Sequence, residues 1–155
     1  MGKSLYIKIY KGKNLQSSFV EKRDSGYHKA IDITIKDGKT WYVVAAYSGV
    51  VFYTSNTCSH KHDLSDSCGK RWGNHIAISS SPEAAKTGEK FTSLYAHLEK
   101  DSIMVSKGQY VNAGDIIAIV GSSGSSSGTH LYFSIRENTD NTISQKCFDP
   151  ILFNQ

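Results

Sequence analysis

Five residues in three segments carry the types and spacing that could do chemistry in this chain. His28 and Asp32 stand four apart in the β-rich run His28-Lys-Ala-Ile-Asp32, and His130 stands two before Tyr132 in His130-Leu131-Tyr132. A third segment, Leu94-Tyr95-Ala96-His97, ends on a histidine. Side chains alternate faces along an extended strand, so residues two or four apart project together. That parity places His28 with Asp32, and His130 with Tyr132. A histidine and a carboxylate projecting together can supply two ligands to a zinc ion; catalytic zinc takes three protein ligands and keeps a fourth position for water. Metal-bound water is acidic enough to supply hydroxide near neutral pH. Imidazoles nearby can then move protons and stabilise the oxyanion of an attacked peptide carbonyl.

The elements that must position these residues read as β nearly throughout. Tyr6 to Tyr10, Ile31 to Ile35 and His75 to Ile78 alternate polar and apolar residues. Trp41 to Tyr47 and Val50 to Thr54, split by Ser48-Gly49, read as a hairpin or a bent pair of strands. Phe91 to His97, Ile116 to Val120 and Leu131 to Ile135 are further strands. Gly38, Gly49, Gly108 and Gly114 mark turns. One helical turn is expected at Pro82 to Lys86, capped by Ser81. The pattern predicts an all-β fold. The two long loops, Ser55 to Gly73 and Ser79 to Lys90, are candidate groove walls. Residues 122 to 128, rich in Ser and Gly, form a turn between strands rather than a linker.

At 155 residues the chain is predicted to be a single domain, 1–155, able to bury a sizeable core. Hydrophobic content of 39% and charged content of 21% are those of an ordinary globular protein. There is no apolar run of transmembrane length and no N-terminal segment resembling a signal peptide. The net charge of +4 and pI near 8.9 favour anionic partners. With no basic run or basic-aromatic pattern, nucleic acid is not among the expected partners.

Three cysteines are present. Cys58 and Cys68 flank a polar loop, and a bridge between them would contribute roughly 2.5–3 kcal/mol in the chain-entropy model and suit an oxidising compartment. The rival reading is a zinc cluster of Cys58, His60, His62 and Cys68, but the spacing fits no common structural zinc pattern. The disulfide is favoured. Cys147 is left over and is expected to be a buried thiol. His60 and His62 are expected to be solvated loop residues, and His75 structural.

Taken together, the motifs resemble the lysostaphin/LytM-type zinc metallopeptidases. His28-Lys29-Ala30-Ile31-Asp32 is similar to their H-x-G-x-D motif, with Ala30 at the usual glycine. Tyr95-Ala96-His97-Leu98 is similar to Y-x-H-L. Gly121-Ser-Ser-Gly124 and Gly128-Thr129-His130-Leu131-Tyr132-Phe133 resemble the G-x-T-G…G-x-H-L-H-F segment. Order and spacing agree from about Gly26 to Leu152. The resemblance implies a mostly antiparallel sheet with long loops forming a groove, and peptidoglycan peptides as substrate, cut at a stem-peptide or cross-bridge amide, in the bacterial cell envelope or outside the cell. It implies His28 and Asp32 as zinc ligands, and His97 and His130 as the acid/base or oxyanion-stabilising pair.

The third family ligand is the second histidine of H-L-H, and here that position is Tyr132. A neutral phenol is a poor zinc ligand, since its ordinary pKa is about 10. Three outcomes are open: an empty, inactive site; weak zinc binding through Tyr132; or another imidazole, a shifted His130 or a loop His60 or His62, taking over. The expected function is therefore a peptidoglycan-directed zinc metalloendopeptidase with an impaired site and zinc bound weakly or not at all. The alternative is a non-catalytic binding or regulatory domain on the same scaffold.

Overall fold

The computed structural model describes residues 15–17, 22–23, 26–34, 39–80, 90–139 and 142–150. The strands are β1 (Leu15–Ser17), β2 (Lys22–Arg23), β3 (Gly26–Tyr27), β4 (Ile31–Thr34), β5 (Tyr42–Val44), β6 (Gly49–Ser55), β7 (Asn74–Ser80), β8 (Phe91–Leu98), β9 (Tyr110–Val111), β10 (Ile116–Ile119), β11 (His130–Thr139) and β12 (Thr142–Phe148). A short 3-10 turn, Cys68–Arg71, is the helical element among the described residues. The fold is all-β, as the alternation predicts, and mostly antiparallel, as the resemblance implies.

The large sheet runs β1-β4-β11-β8-β7-β6-β9, and β5 with β10 forms a small second sheet. Strand β11 is the hub. One of its edges pairs with β4 over His130–Phe133 and with β12 from Ile135 onward, and the other pairs with β8 over Tyr132–Glu137. Period-2 patterning assigns its faces. Leu131, Phe133 and Ile135 join the buried cluster with Ile31, Ile33, Ile76, Ile78 and Tyr95 of the same sheet. Val43, Ile117 and Ala118 of the small sheet belong to that cluster, so the core lies between the sheets. The buried Tyr95 hydroxyl accepts the Ala46 N–H at 2.9 Å, which satisfies a polar group the core would otherwise strand. His130, Tyr132, Ser134 and Arg136 are left on the other face of β11.

Several expectations change. Of the two readings for residues 41–54, the bent pair of strands holds: β5 pairs with β10, whereas β6 pairs with β7 and β9, so the chain bends from one sheet into the other at residues 45–48. The strand predicted from Leu131 to Ile135 continues to Thr139, because its second half gains β12 as a neighbour. Tyr6 to Tyr10, Ile35, Gly38 and the turn at Ser81 to Lys86 lie outside the described residues, as does most of the Ser79 to Lys90 loop. The Cys58–Cys68 disulfide is formed, with Cα atoms 5.8 Å apart. Cys147 is half-buried rather than buried, on β12 directly opposite Arg136. His60 and His62 are exposed. His75 is buried, and its Nδ1–H donates to the Gly73 carbonyl at 2.8 Å.

Candidate active site

Register alone brings two of the three segments together. In the β4–β11 ladder Asp32 lies directly opposite Tyr132, and in the β11–β8 ladder Tyr132 lies directly opposite Ala96. Directly opposed residues share a face, so Asp32, Tyr132 and the neighbouring His130 converge. His28 precedes β4, and a bend at Ala30 rather than strand parity turns it back. Its Nε2 comes 3.3 Å from Oδ1 of Asp32, and Nε2 of His130 lies 3.8 Å from the same oxygen.

His97 arrives by a different route. In a flat strand it would share a face with Tyr95 and point into the core. Instead Asn74 pairs with Leu98 while Ile76 pairs with Tyr95, so His75 alone opposes Ala96 and His97. This is a β-bulge, which re-aims a side chain. His97 takes φ of 60°, a left-handed conformation costing about 1–3 kcal/mol in a non-glycine residue. The bulge sets its ring 4.6 Å from that of His130 and returns Leu98 to the core.

Two loops hold the imidazoles in orientation. The disulfide loop and the Ser/Gly loop are zipped together by Ser125 N–H to Arg71 O at 2.9 Å, His62 N–H to Ser122 O at 3.2 Å and a bridge between Asp63 and Ser125. At their closest point Gly73 and Gly124 touch backbone to backbone, both with positive φ. The Trp72 carbonyl accepts the His97 N–H at 2.8 Å, and the Ser123 carbonyl accepts the His97 Nδ1–H at 2.7 Å. The Gly128 carbonyl accepts the His130 Nδ1–H at 2.8 Å. A carbonyl at Nδ1 requires the proton there and leaves Nε2 as the atom facing the site. Burial, and then His130 beside it, pulls the His97 imidazole down to about 4. At neutral pH His97 is therefore an acceptor at Nε2.

That depressed value has a measurable consequence. Unfolded, His97 titrates near 6.5; folded, near 4. Its stabilising contribution is fully present above about pH 6.5 and is lost as pH falls toward 4, because only the unfolded chain takes up the proton in that window. The loss is on the order of 3 kcal/mol for metal-free protein. Urea midpoints at pH 7.5 and 4.5 should fall further for the wild-type chain than for His97→Gln, and equal falls would remove His97 as the cause.

Tyr132 does not turn its hydroxyl to the carboxylate and imidazoles. The phenol reaches along its own strand to Arg136, whose Nη2 donates to Tyr132 Oη at 2.9 Å. Arg136 is buried, donates from Nε to Ser134 Oγ at 3.0 Å, and lies 5.0 Å above the centre of the Trp72 ring. Burial pushes the Tyr132 phenol up, with Arg136 beside it pulling the other way. The phenol is thus neutral and its oxygen is engaged by a guanidinium.

His28 and Asp32 supply an imidazole and a carboxylate, but among the described residues no three His, Cys, Asp or Glu side chains are arranged to hold a metal. His60 and His62 lie on the disulfide loop and are exposed. The structure therefore brings together His28, Asp32, His97, His130 and Tyr132. Sequence reading missed Arg136, Trp72 and Ser123. Arg136 had a signal: it shares the Tyr132 face by parity and follows the apolar Ile135 as a cation. Trp72 and Ser123 had none, since their contacts cross between loops.

Comparison with known proteins agrees with this architecture. The profile of peptidase family M23 matches residues 26–144. Murein hydrolase activator NlpD of Salmonella dublin is 35% identical over 111 residues, 72% of this chain and 23% of that protein. The chain thus spans less than a quarter of the length of that relative. The catalytic domain of the antimicrobial peptidase lysostaphin from Staphylococcus simulans superposes with a TM-score of 0.69 at 22% identity, covering 96% of each chain. A zinc-containing peptidase from Vibrio cholerae gives 0.57 at 24% identity, covering 87% of this chain and 35% of that one. At these identities the structural matches speak for the fold.

Proposed function

The chain belongs to peptidase family M23, and on that premise we propose that it is a peptidoglycan-directed domain of the bacterial cell envelope whose zinc endopeptidase site is impaired. The observation that carries this reading is the Arg136–Tyr132 hydrogen bond of 2.9 Å at the position where the family resemblance calls for a third ligand. His28 and Asp32 remain as two candidate ligands, too few for a closed or catalytic zinc site. His97 and His130 remain as imidazoles that present Nε2 to a peptide in the groove. In this role they accept hydrogen bonds from peptide N–H groups, and Asp32 adds a negative charge. The positive net charge suits an anionic wall polymer. The Cys58–Cys68 bridge suits an oxidising compartment.

A regulatory role is the second reading, and the relative named as a murein hydrolase activator favours it. In that case the site face serves binding, and turnover belongs to a separate hydrolase.

Zinc analysis after dialysis, paired with a peptidoglycan-release assay, tests the proposal. Substoichiometric zinc, retained peptidoglycan binding and little or no release are expected. Stoichiometric tightly held zinc with turnover would overturn it. Stimulation of a purified murein hydrolase by the zinc-free chain would select the regulatory reading.

A further inference from the structure

We propose that Tyr132, clamped by Arg136, ties the site together across three strands by holding the His28 and His97 rings in place, so that the site keeps its shape with no metal bound. The inference rests on the impaired-site reading above. In a zinc site the ligands come from separate strands, and the ion ties them together. Here the tie is an aromatic ring on the strand between them. Tyr132 lies on β11, flanked by β4 and β8. Its ring meets His28 at 5.6 Å with planes 70° apart, and His97 at 5.9 Å with planes 87° apart. Both are edge-to-face arrangements, the favoured geometry of aromatic pairs.

A ring can act as a tie only if it is itself fixed. Three contacts fix it through Arg136: Nη2 to Tyr132 Oη, Nε to Ser134 Oγ, and the guanidinium over Trp72. Ser134 and Arg136 are nearly fully buried, so these contacts are not exchanged with solvent. Trp72 closes the circuit, because its carbonyl also holds the His97 backbone N–H. One network therefore runs from His28 through Tyr132 to Arg136, Trp72 and back to His97. A histidine at position 132 is too short to reach Arg136 and would leave this network open.

Arg136 is in this account a positioning residue, acting on the site through Tyr132. The test combines thermal unfolding with NMR of the histidine ring protons, on the full chain in EDTA and again with excess zinc. For the wild type the same unfolding temperature with and without zinc is expected. Arg136→Gln and Tyr132→Leu should each unfold several degrees lower in EDTA and shift the ring signals of both His28 and His97. If Tyr132→Leu fails to fold, Tyr132→Phe, which keeps the ring and loses the clamp, should show the ring-signal shift with a smaller thermal loss. Unchanged ring signals in Arg136→Gln and Tyr132→Phe would overturn the proposal, even with a lower unfolding temperature, since general destabilisation would leave folded-state signals in place. A wild-type chain stabilised by several degrees with zinc would instead overturn the impaired-site reading itself.

Discussion

Tyr132→His is expected to raise zinc affinity by about 10- to 100-fold, the range seen when even the partners of metal ligands are changed. The register explains why a histidine there would face the ion. Position 132 lies directly opposite Asp32 and on the same strand face as His130. An imidazole is too short to reach Arg136, so it has no competing partner in that direction. It would join His28 and Asp32 as a third ligand and leave a fourth position for water. The substitution also has a cost. Removing the phenol takes one acceptor from a buried guanidinium, a charged hydrogen bond of about 1.5–3 kcal/mol. The metal-free variant should therefore be less stable than the wild type and the zinc-loaded variant should recover. Competition against a chromophoric chelator measures the affinity; no gain would mean that position 132 does not address the ion.

Gly124→Ala should be a strongly damaging single methyl in the site's supporting loops. A Cβ on Gly124 would sit 2.2 Å from the Gly73 nitrogen and 2.6 Å from the Arg71 carbonyl oxygen. Both obstacles are backbone, so neither can swing aside. Gly124 also has φ of 71°, which disfavours any side chain. Overpacking and left-handed backbone together should cost roughly 2–4 kcal/mol. The effect should reach the site, because the adjacent Ser123 carbonyl fixes the His97 tautomer. Gly114→Ala is the control: it shares a positive φ, 96°, but nothing lies within 4 Å of its Cβ. Its loss should stay near 1 kcal/mol. Comparable urea midpoints for the two variants would show that the Gly73–Gly124 contact is unimportant.

Much of this was readable before any coordinates. Strand patterning gave the strands that carry the site, and parity put Tyr132 on the same face as His130. Spacing picked out Cys58 with Cys68 over a zinc cluster. Motif order across four segments brought the family into view, although Ala30 and Tyr132 depart from its pattern.

Three features resisted sequence reading for identifiable reasons. His97 has the parity of a core residue, and only a bulge two strands away from Asp32 re-aims it. His28 meets Asp32 through a bend, not through the extended geometry that parity assumes. The direction of the Tyr132 hydroxyl depends on Arg136, Ser134 and Trp72, two from its own strand and one from a loop 60 residues earlier.

Sequence by itself determined which chemical groups are available, because composition and alternation are local properties. Against the resembled motif it places Tyr132 where a histidine is usual. Only the tertiary structure decided what the substituted residue does, because a side chain's direction is set by partners that the fold brings close and that sequence spacing does not encode.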